Sequence, residues 1–264
     1  MTDDPRVRIR NHLRTLRLPA IEKTLDEELD RATREKMSPT ELLERLLALE
    51  AQRVIERRIE RRIHESRLPE RKLLADFDFT FQKGVDKAQI LELATLGFVE
   101  RKQSLILAGN SGTGKSHIAK ALLLIGCQHC YWCRYTTAAG MLKDLLSGLA
   151  DGSLDGKLKR YTRPEILLID EVGFDRLEQE SARNASLFMK VVDGRYCKAS
   201  TMVTTNIDFR ALGDYLGDPV ITTSMVDRLI HHAIIIHIEG PSWRMHESKK
   251  INRRPGAKVP AGKA

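Results

Sequence analysis

The fold is decided by one stretch of sequence, Leu105-Ile106-Leu107-Ala108-Gly109-Asn110-Ser111-Gly112-Thr113-Gly114-Lys115-Ser116. A short apolar run stops at Gly109, and Gly114-Lys115-Ser116 follows four residues later, ahead of a helix-compatible segment. This is the P-loop pattern in its strand–loop–helix context. Because glycines let a chain wrap closely around phosphates, the backbone N–H groups of the loop can converge on a nucleoside triphosphate. The predicted binding residues are Gly109, Asn110, Ser111, Gly112, Thr113, Gly114, Lys115, Ser116 and His117.

Two side chains of this stretch predict the ligands ATP and Mg²⁺. Lys115 is expected to reach the β- and γ-phosphates, and the Ser116 hydroxyl is expected to hold Mg²⁺. The helix that begins near Gly114 adds its positive end to the phosphate site.

An acidic pair supplies the other half of the predicted site. Asp170 and Glu171 follow the apolar run Ile166-Leu167-Leu168-Ile169. The carboxyl end of a strand is where ligands bind in open α/β sheets. We expect Asp170 to hold Mg²⁺ through water opposite Ser116, and Glu171 to act as the general base that polarises the attacking water. These residues predict an ATPase.

Two further polar residues are candidates for the chemistry. Asn206 ends the apolar run that begins at Met202, and it is expected to orient the water or sense the γ-phosphate; the alternative is a turn asparagine. Arg228 is expected to stabilise the transition-state charge on the ATP of the next subunit. The alternative is a surface arginine paired with Asp227. The other candidates for the trans-acting arginine are Arg195 and then Arg183.

The alternation of apolar strands and helical segments predicts an α/β fold, which the P-loop motif identifies as a P-loop NTPase; the resemblance described below implies the AAA+ type. We expect a parallel five-stranded sheet with helices on both faces. Its predicted strands are 105–108, 131–136, 166–169, 200–204 and 234–238. We expect three domains: a helical N-terminal DNA-binding and assembly domain (1–75), an ATPase core (76–245) and a basic flexible tail (246–264). The 26 residues after the last strand are too few for a C-terminal helical lid.

Composition and charge bear on location and partners. The chain has 264 residues and a net charge of +8. It has no apolar run near the ~20 residues that span a bilayer, and its N-terminus lacks the hydrophobic region of a signal peptide. We therefore expect a cytoplasmic protein without membrane contact. Residues 1–75 hold 18 Lys/Arg against 15 Asp/Glu, and residues 246–264 hold six against one. Basic ends on a neutral core predict a polyanionic partner, with ordinary solubilising charge as the alternative.

The cysteines leave two interpretations open. Cys127, Cys130 and Cys133 have the spacing of a metal or cluster site, with Cys197 as a fourth thiol. The run lies where a helix is expected to end and a strand to begin, so the side chains need not converge. Buried small hydrophobic residues explain the pattern as well.

The chain resembles the IstB transposition-helper ATPases of bacterial insertion sequences, which are relatives of the DnaC helicase loaders. The resemblance lies in residues 107–117, 168–173, 204–206 and 225–229, and in the N-terminal Leu13-Arg14-Thr15-Leu16-Arg17-Leu18-Pro19. It implies an AAA+ ATPase that binds double-stranded DNA with little sequence preference, oligomerises on DNA with ATP, and recruits a cognate transposase. The cysteine stretch departs from the pattern of many relatives, so it receives no role.

Three other functions compete with this one. A helicase loader would favour single strands, but residues 1–75 contain no Phe, Tyr or Trp on which bases could stack. A small-molecule kinase would need a lid-like insertion, which the sequence does not suggest. A non-hydrolysing ATP-binding scaffold would not need Glu171.

Overall fold

The computed structural model describes residues 4–174, 182–207 and 219–252. Its contacts divide the chain into two compact units, Met1–Arg61 and a second unit that begins at Arg62. This division falls inside a long helix, ahead of the predicted domain boundary at residue 75. None of the helices in the described ranges is long and apolar enough to cross a membrane.

The first unit is helical. It contains α1 (Pro5–Thr15), α2 (Pro19–Glu35) and most of α3 (Pro39–Ser66). A capping box starts α3, because the Ser38 N–H donates to Glu41 Oε2 at 2.7 Å and the Glu41 N–H donates to Ser38 Oγ at 3.3 Å.

A small apolar cluster and a buried carboxylate hold these helices together. Leu13, Ile21 and Leu25 form the cluster. The residue before α2 is Leu18, which offers no side-chain cap. Glu50 of α3 replaces the missing cap, since its Oε2 accepts the N–H of Ala20 at 2.8 Å and the N–H of Ile21 at 3.4 Å.

The second unit contains the predicted parallel sheet. Its strands are β1 (Ser104–Gly109), β2 (Cys133–Thr137), β3 (Ile166–Val172), β4 (Ser200–Thr205) and β5 (Ala233–Ile238). They lie in the order β2-β3-β4-β1-β5, and every neighbouring pair is parallel. This order brings the carboxyl ends of β1, β3 and β4 together at one edge.

Helices cover both faces of the sheet. Those of the described second unit are α4 (Lys87–Leu93), α5 (Gly97–Glu100), α6 (Lys115–Gln128), α7 (Ala138–Asp151), α8 (Leu154–Thr162), α9 (Ala182–Arg195), α10 (Pro219–Ile230) and α11 (Trp243–Asn252). Ile106, Leu167 and Val203 pack in one apolar cluster with α7 to α10. Ile166 faces α6 instead, where a Cβ on Gly126 would lie 2.7 Å from its side chain. Burial on both faces explains why the strands are almost uniformly apolar. A helix predicted near residues 211–216 lies outside the described residues.

The end of the second unit corrects one prediction. The flexible tail was expected to begin at residue 246, but residues 246–252 belong to α11. Ser242 starts this helix, since its carbonyl accepts the N–H of His246 at 3.1 Å. The helix is anchored because the Trp243 ring contacts the Phe81 ring, with centroids 4.9 Å apart. Residues 253–264 lie outside the described part of the chain.

Candidate nucleotide-binding site

The loop between β1 and α6 has a conformation that requires glycine at two positions. Gly112 and Gly114 have φ of +81° and +97°. A Cβ on Gly112 would lie 2.1 Å from Ser242 Oγ, and a Cβ on Gly114 would lie 2.4 Å from the Phe77 ring. Both the backbone conformation and the close neighbours therefore exclude larger residues.

Lys115 is the first residue of α6, and its ammonium group bridges the loop. Its Nζ donates to the carbonyls of Gly109 and Asn110, each at 2.7 Å. Burial lowers the pKa of Lys115, the charge of Asp170 opposes that shift, and the charge of Arg244 adds to it. The ammonium thus lies at the mouth of the loop, where a bound phosphate would compete with the two carbonyls.

Asp170 is the most strongly held carboxylate of the site and is 1% exposed. Its Oδ1 accepts from Ser116 Oγ at 2.7 Å and from Thr204 Oγ1 at 2.5 Å. Its Oδ2 accepts from the Tyr135 hydroxyl at 3.2 Å and lies 3.5 Å from Lys120 Nζ. Burial and then the charge of Asp170 raise the pKa of Tyr135, so that phenol stays protonated as a donor. Adjacent hydroxyl and carboxylate oxygens are the donor class that Mg²⁺ prefers, so the residues fit this ion.

Glu171 lies beside Asp170 but is directed differently. It is exposed, and its backbone has a φ of +62°. Its N–H donates to Thr204 Oγ1 at 2.9 Å. The carboxylate lines the same cleft as the loop, where it can accept a proton from water.

The cleft has a volume of about 670 Å³, which is the size of a small-molecule site. Its walls come from the P-loop, the ends of β3 and β4, the segment before α4 and the start of α11. The lining residues include Ser111 to His117, Lys120, Glu171, Thr204, Thr205, Asn206, Phe77, Phe81, Gln82, Trp243 and Arg244.

The segment before α4 contributes more to the site than the sequence indicated. Gln82 Nε2 donates to the Thr113 carbonyl at 3.1 Å, and His117 Nε2 lies 2.8 Å from the Leu73 carbonyl. The Phe77 ring contacts the His117 ring, with centroids 5.5 Å apart. The aromatic stretch 74–81 therefore packs on the core. No sequence signal indicated that it lies against the P-loop itself.

The structure brings most of the predicted site residues together, but not the arginines. Asn206 is exposed and lines the cleft beside Glu171. Arg228 does not line it. Its Nε lies 3.1 Å from Asp193 Oδ1, and its Nη1 donates to Ser224 Oγ at 2.5 Å. The ion-pair partner of Arg228 is thus Asp193, and not Asp227 as in the alternative interpretation.

Arg195, the second candidate for a trans-acting arginine, is excluded by burial. It is 1% exposed, and it donates to the carbonyls of Tyr161, Pro164 and Ser200 and to Thr201 Oγ1. A side chain held in this way cannot reach another subunit. Arg183, the third candidate, is exposed.

The cysteines are free. Cys127 and Cys133 are buried, Cys130 is half-buried and Cys197 is exposed. Within the described residues, no group of three or more His, Cys, Asp or Glu side chains could hold a metal ion.

Comparison of the sequence with known proteins identifies the family of this chain. Residues 11–251 match the model of the IstB-like ATP binding proteins. The chain is 34% identical over 242 residues to the ATP-binding protein of insertion sequence IS5376 from Geobacillus stearothermophilus, covering 92% of this chain and 95% of the relative. It is 33% identical over 238 residues to that of insertion sequence IS21 from Pseudomonas aeruginosa, covering 90% and 89%.

Solved structures show the same fold at low sequence identity. The crystal structure of DnaI has a TM-score of 0.54 and 20% identity, covering 64% of this chain and 92% of that chain. DnaA from Aquifex aeolicus bound to AMPPCP has a TM-score of 0.52 and 18% identity, covering 70% and 57%. These likenesses show a shared fold. The family match over residues 11–251, together with the two relatives above, shows that the chain belongs to the IstB-like ATP-binding proteins and is a P-loop ATPase.

Proposed function

We propose that this ATPase binds double-stranded DNA with little sequence preference, oligomerises on it when ATP is bound, and serves a cognate transposase. The observation that supports the proposal is a P-loop cleft with an acidic pair beside it, in a chain whose relatives are named as ATP-binding proteins of insertion sequences. The Ser116–Asp170 contact and the neighbouring Glu171 make up that site.

Hydrolysis requires four groups of the site to act together. The loop N–H groups and Lys115 bind the phosphates, and Ser116 and Asp170 hold Mg²⁺. The ion supplies positive charge that stabilises the transferring phosphoryl group. Glu171 accepts the proton of the attacking water, and Asn206 orients that water from the end of β4.

Arg228 is proposed to act on the ATP of a neighbouring subunit. It lies outside the cleft of its own chain and is only about one-third exposed, at 32% of its side chain. Because Asp193 holds its Nε at 3.1 Å, the guanidinium must exchange this exposed carboxylate for a phosphate. Losing the present pair costs little, because an exposed ion pair contributes only about 0–1 kcal/mol. ATP in one subunit would then favour assembly with the next.

Mixing two inactive variants tests this arrangement. Lys115→Ala removes phosphate binding but keeps Arg228, whereas Arg228→Ala keeps the cleft but lacks the arginine. Each variant alone should lose most of its DNA-stimulated ATPase activity, and their mixture should regain part of it at hybrid interfaces. Unchanged activity of Arg228→Ala would remove Arg228 from the site, and a mixture as inactive as its components would contradict action in trans.

DNA binding is proposed to use exposed arginines of α3. Arg57 and Arg58 are exposed, whereas Arg14 of the same unit is paired with Glu22 at 2.6 Å. Arginine forms bidentate contacts with phosphate oxygens, which give affinity without sequence readout.

A double variant and a matched control test this surface. Arg57→Ala/Arg58→Ala should lower duplex affinity and reduce the slope of log affinity against log salt by about two. Arg14→Ala, which removes an arginine already paired, should change the slope by less than one. Equal slopes for the wild type and the double variant would exclude this face of α3.

A further inference from the structure

The third strand is irregular at the point where the two acidic residues lie. The parallel pairing of β3 with β4 is regular up to Ile169 opposite Val203, and it resumes with Val172 opposite Thr205. Asp170 and Glu171 therefore oppose the single residue Thr204, which is the arrangement of a β-bulge. Glu171 adopts a φ of +62° there, a region that non-glycine residues occupy only when their surroundings hold them.

One hydroxyl group holds both residues of the bulge. Thr204 Oγ1 donates to Asp170 Oδ1 at 2.5 Å and accepts the backbone N–H of Glu171 at 2.9 Å. Thr204 is 1% exposed, so water cannot replace either contact without reorganising the sheet. The bond to the Glu171 N–H also satisfies a donor that the bulge removes from the regular ladder.

We infer that Thr204 is a positioning residue for ATP hydrolysis, which fixes the Asp170 carboxylate and sets the direction of Glu171 through its backbone. The inference rests on the proposed roles of these two acids. Ser116 and Thr204 donate to the same carboxylate oxygen. If the Ser116 hydroxyl turns to Mg²⁺, the Thr204 bond is the one that still orients that oxygen. The Tyr135 hydroxyl donates to the other oxygen of Asp170.

The neighbouring residue provides a matched control. Thr205 has the same side chain on the same strand and is also 1% exposed. Its hydroxyl accepts the N–H of Ile207 at 3.1 Å, and no hydrogen bond joins it to Asp170 or Glu171. Replacing threonine by valine removes the hydroxyl and keeps the side-chain shape at both positions. Thr204→Val loses the hydrogen bonds to Asp170 and Glu171, whereas Thr205→Val loses the hydrogen bond to Ile207.

The experiment compares Thr204→Val, Thr204→Ser and Thr205→Val in the full-length protein. Two quantities are measured: the ATPase rate as a function of Mg²⁺, and equilibrium binding of a fluorescent ATP analogue in EDTA and over a Mg²⁺ titration. For Thr204→Val we expect kcat to fall about 10- to 100-fold, which is less than the 10²–10⁴-fold typical of a whole general base because Glu171 is displaced and not removed. The Mg²⁺ concentration at half-saturation of nucleotide binding should rise severalfold, while binding in EDTA stays unchanged. Thr204→Ser keeps both hydrogen bonds and should recover most of the activity.

Two outcomes would overturn the inference. One is a Thr204→Val protein whose kcat and Mg²⁺ half-saturation match those of the wild type; the other is a Thr204→Ser protein as impaired as Thr204→Val. Absence of hydrolysis in the wild type would instead refute the proposed function, and the Mg²⁺ dependence of nucleotide binding would still decide the Asp170 part of the inference. If Thr204→Val does not fold, Thr204→Ala is compared with Thr205→Ala by the same criteria.

Discussion

Replacing Arg195 by methionine is expected to destabilise the second unit strongly, although the residue lies outside the cleft. Its guanidinium donates to the carbonyls of Tyr161 at 2.8 Å, Pro164 at 2.7 Å and Ser200 at 2.5 Å. These contacts join the end of α8 to the start of β4. Methionine fills a similar apolar volume but offers no donor, so the three carbonyls lose this partner.

The magnitude follows from two opposing effects. A buried acceptor left without a partner costs about 1–3 kcal/mol, so three of them cost about 3–9 kcal/mol. Burial lowers the pKa of Arg195 to about 9, which shows that the site disfavours the charge, and removing that charge offsets part of the loss. We expect a net loss of about 2–4 kcal/mol, which lowers the melting temperature by about 5–15 °C in a unit of this size.

Thermal unfolding followed by circular dichroism measures this loss. Arg183→Met is the matched control, since Arg183 lies on the same helix but is exposed. The control should melt within about 2 °C of the wild type, as most surface substitutions do. An Arg195→Met protein that also melts within 2 °C of the wild type would refute the assignment of Arg195 as a structural clamp.

Two further predictions concern the loop and the first unit. Gly112→Ala should weaken ATP binding at least tenfold in a fluorescence titration, because the φ of Gly112 is +81° and a Cβ there would lie 2.1 Å from Ser242 Oγ. Gly152→Ala is the control, because Gly152 also has a positive φ, +72°, but no atom lies within 4 Å of its added Cβ. This variant has the backbone strain without the steric clash and should bind ATP normally. Burial raises the pKa of Glu50, but hydrogen bonds, the strongest from Arg53, outweigh it and keep that pKa below 4.5. The Glu50 carboxylate therefore stabilises the fold above pH 4.5 and loses this effect as the pH falls through its lowered pKa. The difference in melting temperature between wild type and Glu50→Gln should be largest near pH 7 and shrink below pH 4; a constant difference would contradict this role.

The sheet and the core of the site could be predicted because their signals are local. Gly114-Lys115-Ser116 encodes the loop and the start of α6 within a few residues. Asp170 and Glu171 follow directly from the apolar run that forms β3. Ser38 and Glu41 similarly encode the start of α3.

The remaining features depend on contacts between residues far apart in sequence. Thr204 lies 34 residues from Asp170, and its hydroxyl acquires a role only when the bulge in β3 forms. The charge of Arg195 suggested an accessible side chain, whereas the carbonyls that surround it come from the end of α8 and the start of β4. The helix at Trp243 was missed because a basic, proline-containing sequence is typical of a tail, and its anchor on Phe81 is not visible in the local pattern.

Sedimentation tests most directly whether ATP drives assembly on duplex DNA. The protein is centrifuged with ATP, with ADP and without nucleotide, on duplex and on single-stranded DNA of equal length. We predict large complexes only on duplex DNA and only with ATP. A preference for single strands would favour a helicase-loader function, and equal complexes with ADP, or no DNA binding in any nucleotide state, would contradict ATP-driven assembly on DNA.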